Sequence, residues 1–339
     1  MTDSAELTNW LQRLLDREDL ERSEVERLFG KIMDGEVGES QIAGLLVAFS
    51  MKGETPEELA GAAQAMRSRA RFVAHHRTDL VDTCGTGGDG RGTFNISTAA
   101  AFVAAAGGAA VAKHGNRAIS SRSGSADVLG ALGLPMEVTP ETAARQLDEV
   151  GIAFLFAPAH HPATRTVAPV RRALGVRTLF NLLGPLTNPA GALRQLLGVY
   201  SRHRVEPVAR VLAALGCQHA LVVHGDDGLD EITTTTTTHV AEVRNGEVRT
   251  YVLSAEELGI DRAEPGDLAG GLPDENARRM EKILCGEIGP LADIVALNAG
   301  AALYVAGRSD SIADGVQRAK TILASGGAMT KLEALKSFR

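Results

Sequence analysis

The chain has 339 residues, 44% of them hydrophobic and 23% charged, with a formal net charge of −7. At roughly 150 residues per domain this is one large domain or two, with the composition of an ordinary globular protein rather than a disordered one. The acidic balance argues against a protein whose main task is to coat nucleic acid or an anionic membrane, and leaves room for a local basic pocket around a small anionic substrate. The three cysteines, Cys84, Cys217 and Cys285, show no C-x-x-C spacing, so we expect a reducing, cytoplasmic setting with no disulfide framework and no structural zinc.

The N-terminus is acidic and helical in pattern, without the basic start and apolar run of a signal peptide. Leu7, Leu11, Leu14 and Leu15 recur at helical spacing, as do Val25, Leu28, Phe29 and Ile32. Glu39 to Met51 is a further apolar helix, and Thr55 caps one that begins at Pro56. Residues 5 to 70 therefore read as a small α-helical unit.

Near residue 79 the pattern changes. "DLVDT" is a short strand that runs into a glycine-rich loop, Ser97 to Ala106 a buried helix, and "AAVAKH" a second strand. A helix opens at "SGSADVLGALG", Thr139 caps another over 141–150, and "IAFLFA" is a third strand. "RTVAPVRRALG" reads as a helix, "QLLGVYS" as a strand, "VEPVARVLAALG" as a helix and "HALVVHG" as a strand. Such alternation implies a mainly parallel sheet covered on both faces. The run Thr233 to Thr238 reads as an edge strand because threonine is β-branched. Asn245-Gly246 between two alternating runs marks a hairpin, and three helices, roughly 274–286, 290–306 and 311–325, close the chain. The most apolar stretch, "TAAAFVAAAGGAAVA", is broken by Gly107 and Gly108 and is too short to span a bilayer.

Within "DTCGTGGDGRGTFNIST", Gly85, Gly87 and Gly90 match the G-x-G-x-x-G spacing of a dinucleotide loop. That fingerprint also needs a helix directly after the glycines and an acid about 20 residues on. Here the helix cannot begin before Asn95 or Ser97, and the end of the second strand carries Lys113 rather than Asp or Glu. No G-K-[ST] is present, so the P-loop reading fails as well. The glycines still suit a backbone anion nest, with Asn95, Ser97 and Thr98 as donors at a helix N-terminus. "KHGNRAISSRSGS" adds Lys113, Asn116, Arg117, Arg122 and four serines at the next strand end. "VVHGDDGLDEIT" brings Asp226, Asp227, Asp230 and Glu231 to a third. Carboxylates beside a phosphate site suggest Mg2+, which takes few protein ligands and keeps waters and phosphate oxygens. A glycine turn with a capping serine, or a solvated acidic turn, accounts for each stretch alone but poorly for all three together.

Four stretches, "GTGGDGRGTFNIST", "KHGNRAISSRSGSADVLGALG", "FLFAPAHHPATRTVAPVRRALGVRTLFNLLGPLTNP" and "GDDGLDEIT", occur in this order. Together they resemble the anthranilate phosphoribosyltransferase family of tryptophan biosynthesis, over essentially the whole chain. The resemblance implies an α/β fold with a small α-helical domain, a larger domain built on a mainly parallel sheet, and a C-terminal helical cluster. It places residues 1–72, with helices near 163–185, in the helical domain, and 73–162 with 186–339 in the α/β domain. It implies a homodimer formed through the helical domain, with no nucleic-acid or membrane partner.

The resemblance also implies that phosphoribosyl pyrophosphate (PRPP) meets Gly85, Gly88, Asp89, Thr93, Asn95, Ile96, Ser97 and Thr98 on the first loop. On the second it meets Lys113, His114, Gly115, Asn116, Arg117, Ala118, Ile119, Ser120, Ser121 and Ser125. Magnesium falls to Ser97, Asp230 and Glu231. Anthranilate falls to Gly85, Asn116, Arg171 and His161, and the Arg171 guanidinium fork matches a substrate carboxylate. His114 and His161 have the chemistry of general bases, though packing at the pocket wall accounts for them better. Two positions depart from the family pattern: the threonine run stands where Gly-Pro is frequent, and Gly130 where Glu is common. A pyrimidine nucleoside phosphorylase, which shares a Lys-x-x-Asn-Arg loop, is the nearest rival. It would bind inorganic phosphate and need no carboxylate pair.

Overall fold

The computed structural model describes residues 3–118 and 122–338. Ile119, Ser120 and Ser121 of the second expected phosphate loop lie outside the described residues. Four helices open the chain, α1 (Asp3–Leu15), α2 (Arg22–Met33), α3 (Glu39–Lys52) and α4 (Pro56–Arg67). The last begins as read: Thr55 Oγ1 accepts the Glu58 N–H, and the Glu58 carboxylate accepts the Thr55 N–H in return.

The α/β part alternates β1 (Leu80–Asp82), α5 (Ile96–Ala106), β2 (Ala110–Gly115), α6 (Ser125–Ala131), α7 (Pro140–Arg145) and β3 (Ile152–Phe156). After the short helices α8 (Ala157–His160), α9 (Ala168–Leu174) and α10 (Phe180–Leu183) come β4 (Arg194–Gly198), α11 (Val205–Ala214) and β5 (His219–Gly225). The Asn245-Gly246 turn, with both residues at positive φ, joins β6 (Thr238–Arg244) to β7 (Glu247–Leu253). One sheet results, ordered β3-β2-β1-β4-β5-β6-β7. The strands β3 to β5 in that order are parallel, and β6 and β7 run antiparallel.

The sequence reading needs four corrections. The threonine run is not an edge strand: residues 233–237 form a loop, buried at Thr233 to Thr235, and only Thr238 enters β6. The helix expected over 141–150 is α7 followed by a π turn, Gln146–Val150. The helix read in "RTVAPVRRALG" breaks at Val167 between a 3₁₀ turn, Pro162–Thr166, and α9, since Pro169 lacks the N–H that would continue the ladder. Four helices rather than three close the chain: α12 (Pro273–Leu284), α13 (Pro290–Val305), α14 (Ile312–Ala324) and α15 (Gly327–Lys336). Among the described residues no helix is long and apolar enough to cross a membrane.

Side chains on β5 alternate between two cores, as the pleat requires. Leu221 and Val223 join α5 and the closing helices, whereas Ala220 and Val222 face α11 and the N-terminal bundle. The second core also takes in Val167, Val170, Phe180 and Leu183, so the 162–186 segment packs with α1–α4 rather than with the closing helices. The bundle thus packs directly against one sheet face.

In the other core α13 and α14 touch through glycines. A Cβ on Gly300 would lie 2.4 Å from the Val316 nitrogen, and one on Gly315 2.2 Å from the Gly300 carbonyl oxygen. Gly300→Ala should therefore force the helices apart and cost about 1–3 kcal/mol. A chemical-denaturation midpoint equal to that of the parent would contradict the close crossing.

Candidate active site

All five parallel strands end on the same side of the sheet. The chain winds outward from β1 to β3, then returns to the other flank of β1 with β4. The crevice between the ends of β1 and β4 is the switch point at which open α/β sheets take their ligands. The glycine loop leaves β1 there.

Gly87, Gly88, Gly90 and Gly92 all have positive φ, a region that side chains avoid. One of the loop's donors is already engaged: the Gly87 N–H donates to Asp230 Oδ2 at 2.8 Å. Gly85 has no φ requirement, but a Cβ there would lie 2.9 Å from the same Asp230 oxygen. Behind it, a Cβ on Gly198 at the end of β4 would lie within 1.5 Å of the Asp230 carbonyl oxygen. Asp230 therefore reaches across from the β5 loop into a slot that only glycines leave open. Further along, Thr93 bridges to Ala269, and the Phe94 N–H donates to the Leu268 carbonyl, which anchors the distal end of the loop.

Helix α5 starts late, as read. Asn95 stands at its N-cap position, without a side-chain cap bond, and Ile96 is its first residue. The Ser97 N–H, an orphan donor of that first turn, is taken by Glu231 Oε1 at 3.1 Å. Both anion-binding features expected for phosphate thus already hold a carboxylate of the same loop. Asn95 links the two phosphate loops: its amide donates to the Ser123 carbonyl, and its oxygen accepts from Asn276 on α12. Ile96 and Thr98 are buried behind this turn.

Lys113, at 3% exposure, lies beneath the loop, with Nζ 2.9 Å from the Thr83 carbonyl and 3.3 Å from Ser97 Oγ. Burial pushes its ammonium below the usual lysine range, opposed by Asp82, Glu231 and Asp230. Burial also raises the Asp230 carboxyl well above its ordinary value, and repulsion from Asp89 and Glu231 adds to this. Glu231 is raised by burial and held back by Lys113 and Ser97. Asp89 Oδ2 is buried without a partner. The crevice is therefore rich in carboxylate oxygens and short of positive charge, which suits a divalent cation. Among the described residues no three His, Cys, Asp or Glu side chains converge into a ready cage, so such an ion would need water or ligand oxygens to complete its shell.

The second loop folds back on α6. Asp127 accepts the N–H groups of Ala118 and Gly124, and the Asn116 carbonyl accepts from Ser125 Oγ. Gly115 is forced by Ser125, whose Oγ would lie 2.4 Å from a Cβ there. Arg117 and Asn116 are exposed, with the Arg117 guanidinium over Phe156. His114 and His161 meet with ring centroids 5.2 Å apart. His114 Nδ1 lies 3.0 Å from the Gly184 carbonyl, an acceptor, so that nitrogen carries the proton. Burial drives the His161 pKa down to about 4, with His160 adding to the effect, and lowers that of His114 as well. Both rings are held neutral, and their lowered proton affinity makes them weak bases. Arg171, half-buried on α9, stacks over Phe180. Among the described residues no side chain or carbonyl accepts from its guanidinium, and no hydrogen bond ties it to either phosphate loop.

Several supporting residues escaped the sequence reading. Asp82, wholly buried at the end of β1, accepts from the Asn188 amide at 2.8 Å and the His114 N–H at 3.1 Å. An aspartate inside the apolar run "DLVDT" was the available signal. Arg177 donates to the Gly88 carbonyl and lies over Tyr200, which joins the 163–185 segment to the glycine loop. Asn298 on α13 pairs with both backbone groups of Ile232, next to Glu231.

Comparison with known proteins agrees with this architecture. Residues 8–70 match the glycosyl transferase family helical bundle domain, and residues 77–329 match the glycosyl transferase family a/b domain. An anthranilate phosphoribosyltransferase of Symbiobacterium thermophilum is 52% identical over 328 residues, 97% of this chain and 96% of that one. The crystal structure of anthranilate phosphoribosyltransferase from Thermus thermophilus superimposes with a TM-score of 0.93 at 51% identity, covering 97% of this chain and 98% of that one. The Saccharomyces cerevisiae enzyme in complex with PRPP and Mg gives a TM-score of 0.89 at 28% identity, covering 98% and 97%.

The slot at Gly198 yields a direct test. Gly198→Ala must push Asp230 out of the crevice, at a cost of about 1–3 kcal/mol in stability. The Gly87 amide should then lose its protection from hydrogen exchange. Retained protection in a folded Gly198→Ala protein would rule out the wedge.

Proposed function

The chain belongs to the anthranilate phosphoribosyltransferase family, and from that premise we infer that it transfers the 5-phosphoribosyl group of PRPP to the amine of anthranilate. The products are N-(5-phosphoribosyl)anthranilate and pyrophosphate, in a cytoplasmic step of tryptophan biosynthesis. The single observation that carries this reading for the chain itself is the crevice at the β1/β4 switch point. There a glycine loop, a buried lysine and two carboxylates on a crossing loop converge.

Asp230, Glu231 and the Ser97 hydroxyl would hold Mg2+, with PRPP supplying further oxygens. When bound, the ion supplies Lewis-acid neutralisation of the pyrophosphate leaving group. Lys113 adds a fixed positive charge on the same side, preorganised by Thr83 and Ser97. The remaining N–H groups of the glycine loop, with Asn116, Arg117 and the Lys113–Ser121 segment, bind the phosphates. Arg171 receives the anthranilate carboxylate, and its stacking on Phe180 holds the fork in place. That leaves the amine directed at C1. The neutral His114 and His161 line the wall. An aromatic amine is a weak nucleophile, so assistance is best directed to the departing pyrophosphate, and no strong base is needed. A nucleoside phosphorylase would have no use for the Asp230 and Glu231 pair.

Loss of anthranilate fluorescence on adding PRPP and Mg2+ tests the assignment. Asp230→Asn with Glu231→Gln should lower kcat about 100-fold or more in a folded protein. Arg171→Ala should raise KM for anthranilate about tenfold or more while leaving that for PRPP nearly unchanged. Stable fluorescence together with phosphorolysis of thymidine or uridine would replace this reading with the phosphorylase.

We propose that residues 1–72 with 163–185 form one body and residues 73–162 with 186–339 the other, and that the two close on each other when PRPP and Mg2+ bind. Dimerisation is assigned to the helical body, where Leu15 (60% exposed), Val47 (36%) and Met51 (70%) present apolar side chains to solvent. Val47 and Met51 stand one turn apart on α3. Small-angle X-ray scattering should give twice the monomer mass, and a smaller radius of gyration once PRPP and Mg2+ are added. A monomer, or an unchanged radius, would remove the corresponding claim.

A further inference from the structure

The threonine run sits beside the metal-binding arm, and its loop conformation gives it a use. Between β5 and β6 the chain reverses from Gly225 to Thr238, and its far side carries Asp230 and Glu231. Asp227 closes the base of this reversal. Its Oδ2 accepts from Thr233 Oγ1 at 2.6 Å and also from Thr235 Oγ1, and its Oδ1 accepts the Leu229 N–H at 3.1 Å. The run also ties itself together: the Thr235 N–H donates to Thr233 Oγ1, and the Thr233 N–H to Thr238 Oγ1. Thr237 repeats the pattern on the neighbouring carboxylate, donating to Asp226 Oδ2 at 2.6 Å. The hydroxyls of Thr233, Thr235 and Thr237 thus serve carboxylates, while that of Thr234 is buried with no partner. Gly225 is part of the same closure, since a Cβ there would lie 2.4 Å from Asp227 Oδ1 and 2.9 Å from Thr233 Cγ2.

This arrangement answers an electrostatic problem. Asp230 and Glu231 are adjacent carboxylates in a half-buried crevice beside Asp89, and their repulsion favours a splayed loop whenever no cation is bound. A loop ordered only by the ion would spend binding energy on its own ordering. Residues 228–232 are instead fixed at one end by Asp227 and at the other by Asn298.

We propose that Asp227, clamped by the Thr233 and Thr235 hydroxyls, is a positioning residue that presets Asp230 and Glu231 for the metal before it arrives. This rests on the reading that those two carboxylates hold Mg2+.

The test is a Mg2+ titration of the full-length enzyme at saturating PRPP and anthranilate, with amide hydrogen exchange on the metal-free protein. Asp227→Asn and Thr235→Val should each raise the Mg2+ concentration for half-maximal activity about tenfold or more. Both should speed exchange across residues 228–232 and leave KM for anthranilate unchanged. Thr235→Ser, which keeps the hydroxyl, should behave like the parent, as should Thr234→Val. Thr235→Val keeps the side-chain shape and carries the test if Asp227→Asn fails to fold. Parent-like Mg2+ dependence and exchange in Thr235→Val would overturn the clamp, and so would a Thr235→Ser protein as impaired as Thr235→Val. A parent enzyme indifferent to Mg2+ would overturn the metal reading itself, and the clamp with it.

Discussion

The insertion of Asp230 between the ends of β1 and β4 governs the rest of the site. Its carboxylate takes the Gly87 N–H, its backbone presses on Gly198, and Gly85 lacks the Cβ that would block it. That one contact sets the path of the glycine loop, the height of the β5 loop and the place of Glu231 on the first turn of α5. It also explains why glycines cluster at two separate strand ends. Gly85 and Gly198 are required by the approach of another part of the protein, whereas Gly87 and Gly88 are required by their own backbone conformation.

The charges around this contact would suit a ligand that brings both signs. Asp82, Asp230 and Glu231 act on one buried ammonium, Lys113, and burial shifts all four groups toward their neutral forms. A cation would relieve the carboxylate repulsion, and a polyphosphate arriving with it would restore the balance on the other side. The histidines at the wall are held neutral by burial, so the polarity of the site lies in fixed ions and backbone dipoles rather than in a titrating base. Arg177 and His114 carry the arrangement to the 163–185 segment, through Gly88 and the Gly184 carbonyl. The glycine loop and the end of β2 are thereby linked to the 163–185 segment.

Much of the fold was legible because its signals are local. Thr55 and Thr139 cap helices where their sequence context says they should, Asn245-Gly246 turns a hairpin, and the delayed start of α5 at Asn95 follows from glycines that cannot seed a helix. What was misread depended on distant partners. The threonines favour a strand by propensity, but Asp227 takes their hydroxyls and bends the run into a loop. The helix read over 165–175 breaks at Val167 for a nearer reason, Pro169, whose effect the apolar spacing masked. Asp82, Asn276 and Asn298 escaped notice because a single buried polar residue shows its purpose only when its partner, far along the chain, is known.

The sequence by itself determined which chemical groups are available and roughly where each strand ends. Periodicity, caps and glycine spacing are properties of neighbouring residues, and they carry the fold class and the phosphate-loop reading. Only the tertiary structure decided what those groups do to one another. The nest read as a phosphate cradle already holds Asp230, the helix N-terminus already holds Glu231, and the threonine run is a clamp. Each of these is a contact between strand ends separated by 130 residues or more, or a loop folded upon itself. The energy of such contacts depends on burial and distance, which residue order alone does not contain.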